Sequence, residues 1–198
     1  MKYFSLVFLV FLFGGCSIKV PAVTSYKIDT KVKTKRIMTN GCKKSSIKVA
    51  KAFAPTYLSM TDMFYVVDGQ KQLSYNSSKW AISPKSMVTQ EFEKLLRDSN
   101  FYGVVTSYKS RAKTDFVVEV SIDEFMQHFS KDLKRTYGVV TLTLNIINTK
   151  TLKVVSSKHF TYRVDTNSLD ADGGVDSLKI ALSEVLSEVN DYFIENCR

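Results

Sequence analysis

Histidine is scarce in this sequence, which contains only His128 and His159. Neither lies near a second His or a Cys at the spacing of metal ligands, so the sequence does not predict a zinc site. The chain also lacks a G-x-S-x-G nucleophile elbow, a phosphate-binding glycine loop and a dinucleotide fingerprint. The adjacent carboxylates Asp123 and Glu124 lie in a predicted strand, where neighbouring side chains point to opposite faces. We therefore expect no catalytic residue, no metal and no cofactor.

Long apolar runs are also missing. The longest, residues 3–13, has about 11 residues, whereas a helix needs roughly 20 to cross a membrane. Lys2 gives it a basic start and residues 14–16 a small-residue end, which is the layout of a signal peptide. Removal of residues 1–15 leaves 183 of the 198 residues, enough for one domain with a substantial core.

The end of this segment predicts lipid attachment. Phe13-Gly14-Gly15-Cys16 resembles the lipobox of bacterial lipoproteins, in which the cysteine is acylated and becomes the first residue of the mature chain. An ordinary secretory signal with a coincidental cysteine is the alternative. The resemblance implies an outer-membrane location facing the periplasm, because Ser17 stands where Asp would signal retention in the inner membrane. Each buried methylene of an acyl chain adds about 0.8 kcal/mol, so several chains would anchor the protein firmly.

These features divide the chain into three parts. We expect a lipoprotein signal peptide at residues 1–15, a lipidated tether at residues 16–23 and one folded domain at residues 24–198. Acylation of Cys16 leaves Cys42 and Cys197 as the remaining cysteines. In an oxidising compartment this even remainder predicts a disulfide between the start and the end of the domain.

The net charge of +9 is concentrated near the start of the chain. Between Ser17 and Ser45, eight Lys and Arg residues face only Asp29, which gives this segment a charge of +7. One interpretation places it beside anionic headgroups, where each cation contributes roughly 1 kcal/mol. The other is a solvated, partly extended arm. Nucleic acid is not expected as a partner, because the signal peptide exports the chain away from it.

Two helices are predicted from apolar residues that recur three and four apart. The first spans about residues 84–99, begins at Ser83 and Pro84, and ends near Asn100. The second spans about residues 174–195, after a chain break at Asp172-Gly173-Gly174. The apolar face of each predicted helix is wide enough to cover a sheet.

Strands are predicted from alternating apolar residues and from runs rich in Val, Thr and Ile. Asp68-Gly69 is suited to the tight turn of a hairpin, and a polar loop is expected just before Trp80. The predicted strands are residues 24–34, 46–53, 63–67, 73–75, 101–107, 116–123, 137–147 and 152–164. The fold class is therefore α+β, a single domain with a mainly antiparallel or mixed β-sheet covered by two helices.

The middle of the chain carries short motifs of one family. A Tyr-Leu pair, Tyr57-Leu58, precedes an aromatic strand, and Tyr75 and Trp80 precede the first helix. An apolar rhythm follows at Phe92, Leu95, Leu96, Phe101 and Val104. In these features residues 24–195 resemble the ABC-type transport auxiliary lipoproteins, the PqiC-like group. Both a structural role and a docking role are open for the Tyr and Trp positions.

The resemblance implies a non-catalytic auxiliary component of an Mce-type ABC phospholipid transport system, anchored in the outer membrane. The implied partners are a periplasmic Mce-domain protein, the phospholipid membrane through Cys16 and, as an open question, further copies of the chain. The alternative is an outer-membrane assembly or cell-wall regulator lipoprotein with no part in lipid transport. A lipoprotein hydrolase would require a nucleophile and a base, which the sequence does not reveal.

Overall fold

The computed structural model describes residues 22–32 and 41–197. The predicted signal peptide, Cys16 and part of the basic segment lie outside these residues. No helix in the described part of the chain is both long and apolar enough to cross a membrane.

Eight strands and two long helices make up the domain. In chain order they are β1 (Thr24–Tyr26), β2 (Ser46–Val49), β3 (Asp62–Val67), β4 (Lys71–Trp80), α1 (Pro84–Ser99), β5 (Val104–Ser107), β6 (Phe116–Phe129), β7 (Thr136–Asn148), β8 (Lys153–Asp165) and α2 (Ala171–Asn196). Two short 3-10 helices, Gly41–Lys44 and Thr56–Ser59, precede β2 and β3.

All eight strands belong to one mixed sheet. The long strands β6, β7 and β8 form an antiparallel meander. The other edge of β6 is shared by two strands that both run parallel to it: β2 pairs with its start (Ile47↔Phe116) and β3 with its end (Val67↔Phe129). Beyond β2 lies β5, and beyond β3 lie β4 and β1. The predicted α+β class, with a mixed sheet and two helices, is confirmed.

One face of the sheet is covered by both helices. β6 directs Val118, Val120 and Ile122 to this face, each at most 2% exposed. The opposing residues of α2 recur three and four apart and are equally buried: Leu178, Leu182, Val185, Leu186 and Val189. Burial of each such side chain contributes roughly 1.5–3 kcal/mol. The sheet and the helices therefore share a single core.

The start of α2 differs from the prediction. The helix begins at Ala171 rather than at Gly174, because the Asp170 carboxylate accepts a hydrogen bond from Gly173 N at 3.0 Å and caps it. Gly173 and Gly174 lie in the first turn instead of breaking the chain. A Cβ at Gly174 would collide with Gln127 Oε1, so this glycine allows the helix to approach β6 closely.

The predicted strand at residues 24–34 is much shorter in the structure. β1 ends at Tyr26, and the following residues leave the sheet to pack on α1. Thr30 N donates to Glu91 Oε2 at 3.1 Å, and Lys94 Nζ donates to Asp29 Oδ1 at 2.7 Å. Because side chains of α1 satisfy these groups, the segment does not extend the β ladder.

The sheet has two distinct ends. Two hairpin turns, residues 68–70 and 130–135, lie side by side at the hairpin end, where Asp68 N donates to Phe129 O at 3.0 Å. At the opposite, disulfide end, Cys42 is bonded to Cys197, as the sequence predicts, and Gly41 N donates to Cys197 O at 2.7 Å. α2, at 26 residues about 39 Å long, connects the two ends.

Candidate functional site

Two of the four family-motif residues belong to the core. Leu58 is 2% exposed and Trp80 is 4% exposed. The Trp80 indole packs edge-on against Phe125, with ring centroids 5.8 Å apart. The residues before Trp80, expected to form a loop, are the last residues of strand β4. Neither side chain is available as a contact surface.

Tyr57 is half-buried in the 3-10 helix before β3. Its ring packs edge-on against Phe64 at 6.0 Å. Burial, and then the nearby Glu124 carboxylate, raise the pKa of the Tyr57 hydroxyl, so the phenol stays neutral at physiological pH.

Tyr75, the fourth motif residue, takes part in a buried polar cluster. Its hydroxyl donates to Gln127 Oε1 at 2.8 Å. The Gln127 amide nitrogen donates to Thr136 Oγ1 at 3.0 Å and to the Asp170 carbonyl at 3.2 Å. Gln127 is 1% exposed, and these bonds satisfy both ends of its amide. We call these four residues the Gln127 cluster; it joins β4, β6, β7 and the start of α2.

Aromatic rings surround the Gln127 cluster. Tyr65 packs on Tyr75 with centroids 4.7 Å apart, and on Phe129 at 5.3 Å. Burial raises the pKa of Tyr75 far above its usual range, which keeps its hydroxyl protonated as a hydrogen-bond donor. A hydrogen bond from Tyr26 to Asp172 is the main reason why the pKa of Tyr26 is raised as well. The strand nearest the tether is thereby linked to α2.

Gln127 was not among the residues predicted from sequence. Val118, Val120 and Ile122 alternate towards the core, and simple continuation would place residue 127 on the outer face. A bulge between Ile122 and Glu124 reverses this phase. Phe125 and Phe129 follow the new phase, so the Gln between them at residue 127 faces the core.

The outer face of the sheet is polar and carries both histidines. His128 Nε2 contacts Glu124 Oε1 at 2.5 Å, and the imidazole stacks on Tyr137 with centroids 5.1 Å apart. The Arg163 guanidinium lies over the same Tyr137 ring at 3.4 Å. This stack crosses β6, β7 and β8 and gives the outer face a partly aromatic, cationic patch.

A second polar contact on this face involves His159. The Thr143 hydroxyl donates to Asp123 Oδ2 at 2.6 Å and lies 3.1 Å from His159 Nδ1. The hydroxyl has a single proton, which it gives to Asp123, so it does not donate to His159. Within residues 22–32 and 41–197, no group of three or more His, Cys, Asp and Glu side chains is arranged to hold a metal ion.

A groove of about 540 Å³ opens beside the Gln127 cluster at the hairpin end. One wall is the β6–β7 hairpin with Lys134 and Arg135, and the other is the β8–α2 loop with Leu169. Thr136 lines the groove and also accepts from Gln127, so the groove and the buried cluster share one wall. The groove therefore combines cations, hydroxyl groups and apolar surface, a composition that suits the binding of a ligand or partner.

Solved structures with a similar fold exist. Protein XCC0632 from Xanthomonas campestris has a TM-score of 0.74 at 17% identity, over 85% of this chain and 94% of that chain. An uncharacterized protein has a TM-score of 0.61 at 13% identity, over 81% and 99%. The hypothetical protein CT253 from Chlamydia trachomatis has a TM-score of 0.52 at 9% identity, over 77% and 99%. At these identities the likeness shows a shared fold alone.

Curated proteins with a significant sequence match to this chain were not found. The family model of the ABC-type transport auxiliary lipoprotein component matches residues 26–190. This range runs from the end of β1 into the last turns of α2 and includes all four motif residues and the whole Gln127 cluster. The chain therefore belongs to the ABC-type transport auxiliary lipoprotein component family.

Proposed function

We propose that the protein is a lipid-anchored, periplasm-facing and non-catalytic component of an Mce-type ABC phospholipid transport system in the outer membrane. The family match over residues 26–190 is the observation that carries this proposal. The lipobox at Cys16 supports the anchor, and Ser17 supports the outer membrane as its location.

The outer face of β6–β8 is the surface that suits an Mce-domain partner. It is broad, and β8 pairs with only one strand among the described residues, which leaves a 13-residue edge open. Val154 and Val155 are more than half exposed. Exposed Arg163 adds positive charge on the outer face, and exposed Lys158, opposite the buried Leu144, adds positive charge along the edge from the other face. An open edge with exposed valines can accept a strand from a partner, while the cations discourage nonspecific pairing.

Affinity purification from membranes tests the proposal. The full chain, tagged after Arg198, would be isolated from native and from crosslinked membranes, and the captured proteins identified by mass spectrometry. We expect an Mce-domain protein together with its permease and ATPase. A Cys16→Ser variant serves as the matched control, because it removes the anchor and leaves the docking surface intact.

The same experiment distinguishes the alternative function. Capture of outer-membrane assembly proteins or cell-wall enzymes, with no transporter component in either preparation, would contradict the proposal and favour a regulator lipoprotein. Genes for a permease, an ATPase and an Mce-domain protein beside the gene for this chain would support lipid transport independently.

A further inference from the structure

We propose that the hairpin end of the sheet faces the bilayer. In this orientation Lys131, Lys134 and Arg135 contact anionic phospholipid headgroups, and Leu133 lies at the boundary of the acyl chains. The inference rests on the membrane anchor at Cys16 that the proposed function contains. It adds the surface that meets the lipid, which neither the family nor the fold specifies.

The direction of β1 is the first reason. β1 runs parallel to β4, with Thr24 opposite Ser78 and Tyr26 opposite Trp80. β4 starts at Lys71 in the hairpin end and runs away from it. The chain that precedes Thr24 therefore enters the domain from the side of the hairpin end.

The length of the tether is the second reason. Cys16 lies six residues before Ala22, the first described residue, and six residues span at most about 20 Å. Trp80, opposite Tyr26, packs on Phe125, which places β1 level with the second half of β6, with β4 and β3 between them. From Phe125 back to Phe116 the strand extends about 30 Å towards the disulfide end. The tether is too short to bring an acylated Cys16 to that end.

Charge is the third reason. The hairpin of residues 130–135 has three cations and one carboxylate, and its cations form no ion pair with any residue of the described chain. Asp132 is engaged within the hairpin, accepting from Ser130 Oγ at 2.6 Å and from Lys134 N at 3.2 Å. The neighbouring turn, residues 68–70, carries one carboxylate, Asp68, and Lys71 follows it at the start of β4. Headgroup phosphates would complement the exposed cations.

Exposed leucines at the same end are the fourth reason. Leu133, at the tip of the hairpin, is 52% exposed, and Leu169, across the groove, is 54% exposed. Apolar tips beside cations are typical of surfaces that rest in a bilayer interface. By contrast, Lys43 of the basic segment lies at the disulfide end and donates to Asn100 Oδ1 at 2.5 Å. Lys43 is therefore not a headgroup contact in the proposed orientation.

Depth measurements on two matched leucines test the inference. Leu133 and Leu152 are both exposed hairpin residues with φ near +57°, at opposite ends of the sheet. Full-length acylated Leu133→Cys and Leu152→Cys proteins would be labelled with a polarity-sensitive fluorophore and placed in phosphatidylethanolamine–phosphatidylglycerol vesicles. The new thiol takes the label, because Cys42 and Cys197 are paired and Cys16 would be acylated.

We expect spin-labelled lipids to quench the probe at residue 133 at least twofold more than the probe at residue 152, with a blue shift only at residue 133. Equal quenching at both positions, or stronger quenching at residue 152, would overturn the inference. A protein that does not float with the vesicles would overturn the anchor and the inference together.

The role of charge is tested in the Leu133→Cys background. Replacement of Lys131, Lys134 and Arg135 by Gln is expected to reduce quenching at residue 133 at least twofold, as is replacement of phosphatidylglycerol by phosphatidylcholine. The control replaces Lys150, Lys153 and Lys158 by Gln and should leave quenching unchanged. Equal effects of both triple variants would contradict a specific headgroup contact.

The two proposals fail separately. Selective quenching at residue 133 without capture of an Mce-domain protein would support the membrane orientation and contradict the proposed transport partner. Capture of that partner with equal quenching at residues 133 and 152 would retain the proposed function and overturn the orientation.

Discussion

Both ends of the Gln127 amide are bonded to different elements of the fold. Its oxygen accepts from Tyr75 on β4, and its nitrogen donates to Thr136 on β7 and to the carbonyl of Asp170 before α2. These hydrogen bonds hold β4, β7 and the start of α2 in a fixed arrangement around Gln127. Loss of one partner would leave a buried polar atom unpaired and destabilise the folded state. The role of Tyr75 is therefore to donate the hydrogen bond that the buried Gln127 side-chain oxygen requires.

Replacement of Tyr75 by Phe tests this role. The ring remains, but Gln127 Oε1 loses its donor, so we expect the free energy of unfolding to fall by about 1–3 kcal/mol. Tyr108→Phe is the control, because Tyr108 is 40% exposed and should change stability by less than about 0.5 kcal/mol. Urea unfolding of both variants measures the difference. Equal unfolding midpoints for the two variants would contradict the role of the Tyr75 hydroxyl.

At the scale of elements, α2 depends on its cap. Backbone hydrogen bonding from Gly173 N, and then the Ser168 hydroxyl, hold the pKa of Asp170 below its usual range. Because this pKa is depressed, the ionised Asp170 cap stabilises the folded state at pH values above the pKa of an unfolded Asp. That stabilisation is lost as the pH falls below about 4, through the pKa of Asp170 in the folded state.

Two substitutions at the cap separate its charge from its hydrogen bond. Asp170→Asn should match the native protein at pH 7, since Asn also caps helices, and should lose less stability on acidification below about pH 4. Asp170→Ala should lose about 1 kcal/mol at pH 7. Thermal unfolding between pH 3 and pH 7 checks both. An Asn variant as acid-sensitive as the native protein would contradict this account of the cap.

The disulfide joins residues near the first and the last of the domain's sequence, which are separated by 155 residues. In the chain-entropy model a loop of this size stabilises the folded state by about 5 kcal/mol. Reductant should therefore lower the denaturant midpoint strongly. The control variant, with Cys42→Ala and Cys197→Ala, should start near the lower midpoint and be insensitive to reductant. An unchanged midpoint on reduction of the native protein would contradict a stabilising role.

Elements with strong local signals were predictable from the sequence. Ser83 and Pro84 placed the start of α1, and Asp68-Gly69 placed the hairpin of β3 and β4. The glycines at residues 173 and 174 were misleading as a chain break, because Gly174 is needed for the close approach of α2 to Gln127, which is a tertiary contact, and Gly173 approaches Ser168. β1 was predicted too long for a similar reason, since the partner of Thr30 is Glu91, distant in sequence.

At the scale of the whole molecule, the candidate site was only partly predictable. The sequence identified Tyr75 and Trp80 as important positions but could not separate a hydrogen-bonding Tyr from a core Trp. The groove requires the β6–β7 hairpin and the β8–α2 loop to meet, and no local pattern records that contact. The side from which the chain enters β1 likewise depends on the parallel pairing of β1 with β4, which no local pattern records.

The proposed function and the proposed membrane orientation both depend on acylation of Cys16. Intact-mass analysis of the protein extracted from membranes tests this claim most directly. We predict a mature chain that begins at Cys16, carries the mass of a diacylglyceryl group and a further acyl chain, and contains one disulfide. A chain that begins at another residue, or an unmodified Cys16, would contradict the account.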